Sequence, residues 1–146
     1  MVMEMKNILY VEDNPLDIEL TMEALKENKI ANPIVVTHDG IEALEYLRCE
    51  GPFKGRKTKN PSMILLDLKM PKMDGLEFLS IVKKDEKFKN IPVIMLTSSR
   101  EEKDLIKGYD LGVNAYIVKP VNFSSLIYIV KQLESFWLII NELPEE

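Results

Sequence analysis

Glu12 and Asp13 stand side by side at the end of an apolar run, in the stretch LYVEDNPLD, and Asp17 follows close behind. Side chains that favour burial are thus joined directly to groups that resist it. The pattern recurs further along: Asp67 closes SMILLD, Thr97 follows IPVIML, and Lys119 ends AYIVK. Carboxylates converging on one crevice repel each other unless a cation lies between them. Oxygen ligands without histidine or cysteine select a hard divalent ion, magnesium first and manganese second. Magnesium keeps several waters and pairs one or two carboxylates with phosphate oxygens, so the set reads as phosphate chemistry. Asp67 can then act as a nucleophile, because carboxylates form aspartyl-phosphates. Lys119 supplies a point positive charge for phosphoryl oxygens and Thr97 a hydroxyl to bond them. Phosphoryl transfer asks for positioning and charge neutralisation above all.

Each residue alone also fits a duller role. Glu12 could be solvated, and Asp13 or Asn14 could simply cap a helix. Asp67 could be a turn residue, Lys119 a solvated strand end, and Thr97 a cap for the segment after it. Joint placement is what favours the chemical reading, and it depends on the elements that carry these residues.

Five short runs rich in β-branched residues read as buried strands: Lys6–Val11, Pro33–His38, Ser62–Asp67, Ile91–Leu96 and Ala115–Lys119. Their apolarity is continuous, as in a parallel sheet covered on both faces. Helix-length segments alternate with them. Pro15–Asn28 carries Leu16, Leu20, Ala24 and Leu25 at helical spacing, Gly40–Cys49 carries Ile41, Ala43, Leu44 and Leu47, and Asp74–Asp85 carries Leu76, Phe78, Leu79 and Val82. Arg100–Leu111 is apolar at few positions, and Asn122 caps a long last helix reaching about Asn141. A strand–helix unit repeated five times implies right-handed crossovers and an open, doubly wound α/β sheet. Ligands of such sheets sit beyond the carboxyl ends of the strands. Glu12, Asp13, Asp67, Thr97 and Lys119 all fall there.

The whole-chain numbers bound the rest. A chain of 146 residues, 46% hydrophobic and 29% charged, fits one ordinary globular domain. A net charge of −5 gives no electrostatic case for nucleic acid. The single cysteine, Cys49, cannot pair within the chain and reads as a packing residue in a reducing compartment. With no apolar run long enough to span a bilayer and no signal-like N-terminus, the expectation is a cytoplasmic protein without a membrane partner.

The chain resembles a response-regulator receiver domain of two-component signalling over roughly residues 6–134. The resemblance rests on YVEDN with Glu12–Asp13, LLDLKMPKMDG with Asp67, MLTSS with Thr97, and AYIVKP with Lys119–Pro120. The intervals also match: 30 residues from Asp67 to Thr97 and 22 from Thr97 to Lys119. It implies a flavodoxin-like (βα)5 three-layer sandwich, with five parallel strands in order 2-1-3-4-5. It implies that Asp67 accepts a phosphoryl group from a phosphohistidine on a sensor histidine kinase. Asp13 and Asp67 would ligate Mg2+, or Mn2+, with Glu12 acting mostly through water and the backbone carbonyl of Lys69 as a further ligand. Thr97 would close on the phosphate, Lys119 would pair with it, the peptide before Pro120 would be cis, and Tyr116 would be the aromatic switch that swings inward. A surface built from the fourth helix, fifth strand and fifth helix would carry the signal. Such a protein is no enzyme in the ordinary sense, since it promotes only its own phosphorylation and dephosphorylation.

Two features go beyond a minimal receiver. The connection Cys49–Pro61 is long and carries Lys54, Arg56, Lys57 and Lys59, which reads as a solvated loop ahead of a partner-docking one. Its length resembles a subgroup of stand-alone receivers that includes partners of bacterial phytochrome kinases. The C-terminal helix has a core stripe of Leu126, Val130, Leu133 and Trp137, and further apolar residues Ile129, Phe136, Ile139 and Ile140 largely off it. That second face predicts a homodimer through this region, or a chain end folded back to shield it. With Glu146 as the last residue, no output domain is expected, and output is expected to run through protein contacts or phosphate relay.

Three other functions compete. A magnesium phosphatase with an aspartyl nucleophile resembles a DxD motif, but Lys69 occupies the position of its acid–base aspartate. A flavin binder of the same fold needs a phosphate-cradling loop after the first strand, where EDNPLD is acidic. A receiver reduced to a scaffold conflicts with the intact Asp13, Asp67, Thr97 and Lys119.

Overall fold

The computed structural model describes residues 6–27, 32–57, 60–97, 107, 110–119, 122 and 124–125. Along the chain these form β1 (Ile8–Val11), α1 (Pro15–Glu27), β2 (Ile34–Thr37), α2 (Gly40–Arg48), a 3-10 turn (Gly51–Phe53), β3 (Met63–Asp67), α3 (Gly75–Lys84), β4 (Val93–Thr97) and β5 (Ala115–Val118). The strands make one five-stranded parallel sheet in the order β2-β1-β3-β4-β5, as the resemblance implied.

Side chains alternate across the sheet with period two, and each face has its own core. Leu9, Val11, Ile64, Leu66, Val93 and Met95 pack against α2 and α3 through Ala43, Leu44, Leu47, Phe78, Leu79 and Val82. Ile8, Tyr10, Met63, Leu65, Ile94 and Leu96 face α1, which contributes Leu25 with Ile18 and Met22. β1, β3 and β4 are buried along their whole length because helices cover both sides.

Helix starts are set by side-chain caps. Asn14 Oδ1 accepts from the backbone N–H groups of Leu16 (2.9 Å) and Asp17 (3.1 Å). Asn14 is therefore the cap of α1, with Pro15 at the first helical position, and Asp13 is left for other work. Asp39 caps α2 by accepting from Glu42 N–H, and Asp74 caps α3 by accepting from Glu77 N–H. Asn122 Oδ1 accepts from Ser125 N–H at 2.8 Å, the cap expected for the last helix.

Two expectations are corrected. On α1 the helical spacing points to Leu16, Leu20, Ala24 and Leu25 as the apolar stripe, yet Leu16 is 63% and Leu20 47% exposed. The buried face is Ile18, Thr21, Met22 and Leu25, and Thr21 is tolerated inside because the Tyr10 hydroxyl bonds it at 3.1 Å. The connection after α2 is also more than a solvated loop. The Arg56 guanidinium lies 3.9 Å over the Tyr46 ring and donates through Nε and Nη2 to the Tyr46 carbonyl, at 3.0 and 2.8 Å. Phe53 meets the same ring edge-on at 5.2 Å, and Asn7 donates to its hydroxyl. Cys49 is partly buried and ends α2 in the left-handed conformation, with φ 57°.

Of the expected fourth helix only Lys107, Asp110 and Leu111 are described, the first two helical. Pro120, the C-terminal helix beyond Ser125 and the dimer surface assigned to it lie outside the described residues. Among the described residues no helix is long and apolar enough to cross a membrane.

Candidate functional site

The cleft beyond the carboxyl ends of β1, β3, β4 and β5 is lined by Glu12, Asp13, Asn14, Asp17, Asp67, Leu68, Lys69, Thr97 and Lys119, and has a volume of about 340 Å³. Strand register explains the convergence. β1 and β3 run in parallel with Val11 beside Leu66, so Glu12–Asp13 and Asp67 emerge at the same level. Asp67 lies beside Leu96, and Thr97 beside Val118, which brings Thr97 and Lys119 to the same rim. The Lys119 N–H donates to the Thr97 carbonyl at 2.8 Å.

Each carboxylate of Glu12, Asp13 and Asp67 offers an oxygen within 4.8 Å of the others. This all-oxygen donor set suits a hard divalent cation. Asp13 is exposed, whereas Glu12 and Asp67 are buried, so Asp13 is the member of the cluster that faces solvent. The Lys119 ammonium lies 2.6 Å from Glu12 Oε1, 2.8 Å from Asp67 Oδ1 and 2.8 Å from Asp17 Oδ2. Its three N–H donors match three acceptors.

The titration behaviour follows from this arrangement. Burial pushes the Glu12 carboxyl up to about 7; the Lys119 bond opposes that and the neighbouring Asp67 charge adds to it. Burial likewise raises Asp67, again against the pull of Lys119. For Lys119, burial alone would lower the ammonium, but bonds to Asp17, Asp67 and Glu12 outweigh it and hold the group above the ordinary lysine range.

The loop after β3 is shaped around Asp67. A Cβ on Gly75 would lie 2.3 Å from the Asp67 carbonyl oxygen, so only glycine fits there. The Gly75 N–H donates to the Leu68 carbonyl at 2.9 Å. Met73 packs back against Gly40 at the start of α2. This accounts physically for the Asp-Gly of LLDLKMPKMDG. Lys69 lines the cleft with its side chain exposed.

The cleft therefore brings together all of Glu12, Asp13, Asp67, Lys69, Thr97 and Lys119. Tyr116 lies two residues before Val118 on β5 and is 38% exposed, outside the cleft lining. Two residues without an expected role join the set. Asp17 holds Lys119, and Tyr10 places its hydroxyl 3.4 Å from Glu12 Oε1, 3.3 Å from the Asp17 carbonyl and 3.1 Å from Thr21. Asp17 had a readable signal: with Asn14 as cap it is the third residue of α1, at the level of the sheet's carboxyl edge.

The model of the response regulator receiver domain family matches residues 8–131. The response regulator Rcp1 of Synechocystis sp. is 40% identical over 139 residues, covering 95% of this chain and 93% of Rcp1. Its Mn2+-bound form has been solved and superposes with a TM-score of 0.74, covering 96% of this chain and 99% of that one. The bacteriophytochrome response regulator AtBRR is 51% identical with a TM-score of 0.87, covering 96% of this chain and all of AtBRR. The phosphorylated cyanobacterial phytochrome response regulator RcpA is 46% identical with a TM-score of 0.75, covering 92% and 94%. Sheet order, acidic cleft and these likenesses agree: the chain belongs to the response regulator receiver domain family, beside the regulators associated with phytochromes.

Proposed function

We propose that the chain is a single receiver domain in which Asp67 accepts a phosphoryl group from a sensor histidine kinase in a Mg2+-dependent reaction. The observation that carries this reading is the Lys119 ammonium 2.8 Å from Asp67 Oδ1, beside a cluster of three carboxylates. An Asp67 carboxylate oxygen attacks phosphorus, the bond from phosphorus to the kinase imidazole nitrogen breaks, and the imidazole leaves with that electron pair. Glu12, Asp13, Asp67 and the Lys69 carbonyl would hold the cation, with Glu12 acting mostly through water. When bound, the cation supplies charge neutralisation for the transferring group. Lys119 holds the acceptor before the cation binds and pairs with the new phosphoryl oxygens after transfer. Asp67 is buried and lines the cleft, and phosphorus approaches it from the side where Asp13 is exposed.

The switch reading follows from the same edge. A phosphoryl group adds about −1.5 to −2 charge and new acceptor oxygens beside the Thr97 hydroxyl. Thr97 turns to bind them, and Tyr116, half outside on β5, moves into the space released. Output then passes through the surface around β5. A C-terminal homodimer is a further part of the reading, supported by the second apolar stripe of the sequence and checked by light scattering of the full chain. Likeness to phytochrome regulators favours a phytochrome-type kinase.

Intact mass after incubation with acetyl phosphate tests the core of the proposal. Expected is a gain of one phosphoryl group that needs Mg2+ and is absent in Asp67→Asn. No gain in the folded wild type, together with no binding of beryllofluoride, would refute it.

A further inference from the structure

We propose that Asp17 is a second seat for the Lys119 ammonium, a positioning residue that sets how strongly the lysine competes with a divalent cation for Glu12 and Asp67. The inference rests on the receiver reading above and goes beyond it, because Asp17 lies outside the carboxylate cluster suited to the cation. Lys119 divides three short contacts among Glu12, Asp67 and Asp17. The first two acceptors belong to carboxylates of the cluster suited to a cation; the third does not. A lysine held only by Glu12 and Asp67 would, among the described residues, have no other carboxylate partner once displaced. With Asp17 at 2.8 Å, it keeps a charged partner while releasing the other two.

Asp17 is built to serve as that partner. Its own N–H is fixed by the Asn14 cap at 3.1 Å, and its carbonyl accepts from the buried Tyr10 hydroxyl at 3.3 Å. Its position is therefore set by α1 and β1 together, not by the cleft loops. Its side chain is 30% exposed, so an ammonium drawn toward it moves to the solvent edge, away from the buried oxygens. Asp17 and Lys119 are separated by 102 residues in the chain, so the pairing belongs to the fold.

The test is a double-mutant cycle read as the Mg2+ dissociation constant by calorimetry, with the intact chain and no phosphoryl donor. Removing Asp17's charge weakens cation binding a little by simple electrostatics whether or not the lysine is present. The seat predicts more: Asp17→Asn raises the dissociation constant roughly three- to tenfold when Lys119 is present, and the change shrinks to under about twofold in a Lys119→Met background. Asp17→Glu, which keeps the carboxylate, should recover most of the loss. Asp17→Ser serves as a second variant of the same kind if Asp17→Asn unfolds. Equal weakening in the two backgrounds would overturn the seat and leave the receiver reading standing. Failure of the wild type to bind Mg2+ at all would overturn the receiver reading itself.

Discussion

Replacing Glu12 by glutamine should stabilise the metal-free protein, in a way that depends on pH. Glu12 is completely buried, and its carboxyl is raised from 4.5 to about 7 in the folded chain. A carboxyl with a raised folded-state value holds its proton where the unfolded chain has released it. Ionising it therefore opposes folding: the penalty is absent below about 4.5, grows as pH rises, and is complete above about 7. The interval corresponds to ~3 kcal/mol at pH 8 and under ~1 kcal/mol at pH 5. Glutamine imitates the neutral carboxyl in shape and keeps an oxygen for Lys119, which also retains Asp17 and Asp67. Glu12→Gln should thus gain up to ~3 kcal/mol at pH 8 in EDTA, or roughly 6–12 °C in Tm for a chain of this size. Urea unfolding of both proteins at pH 5 and pH 8 measures the difference. A gain independent of pH, or a loss at pH 8, would refute the account of why Glu12 titrates high.

Added Mg2+ should raise the wild-type unfolding midpoint, by ~2.7 kcal/mol at a hundred times the dissociation constant, and Asp13→Asn should remove most of that rise in a thermal titration. Arg56→Ala should cost ~1–3 kcal/mol in chemical denaturation, since it removes the ring contact and two charge-assisted bonds to the Tyr46 carbonyl. Arg56→Lys should recover less than half, because an ammonium cannot reproduce the planar fork. Gly75→Ala should destabilise by ~2 kcal/mol or more and weaken Mg2+ binding with it, because a Cβ 2.3 Å from the Asp67 carbonyl must displace the strand end that carries the site. Calorimetric titration of that variant with Mg2+ separates a displaced site from an intact one.

The sheet was legible because continuous apolar runs and regular helix-length spacers leave one economical arrangement, and the site was legible because its residues share the carboxyl ends of those runs. What escaped the sequence was pairwise. Thr21 on the inner face of α1 looks like a surface residue until the Tyr10 hydroxyl meets it from β1. Leu16 and Leu20 look like core until geometry turns them outward. Arg56 reads as one more charge in a basic loop, and its use depends on an aromatic ring ten residues back. Hydropathy ranks residues one at a time, whereas each of these placements is decided by a partner.

Lys119 couples the stability of the fold to the chemistry of the site. A metal-free cleft with Glu12 and Asp67 both buried would be an uncompensated cluster of negative charge, and burial alone pushes both carboxyls toward protonation. The lysine bonds both, so it acts within the fold as an internal stand-in for the missing positive charge. The same occupancy makes it a competitor for a divalent cation, and readiness for phosphoryl transfer depends on how easily it gives way. Removing it should therefore have opposite consequences for fold and site: Lys119→Met should lower metal-free stability at pH 8 while tightening Mg2+ binding. Both changes are measurable on one protein sample, by urea unfolding in EDTA and by calorimetry. Weaker Mg2+ binding in a folded Lys119→Met protein would mean that the lysine organises the carboxylates for the cation, and the competition argued here would fall.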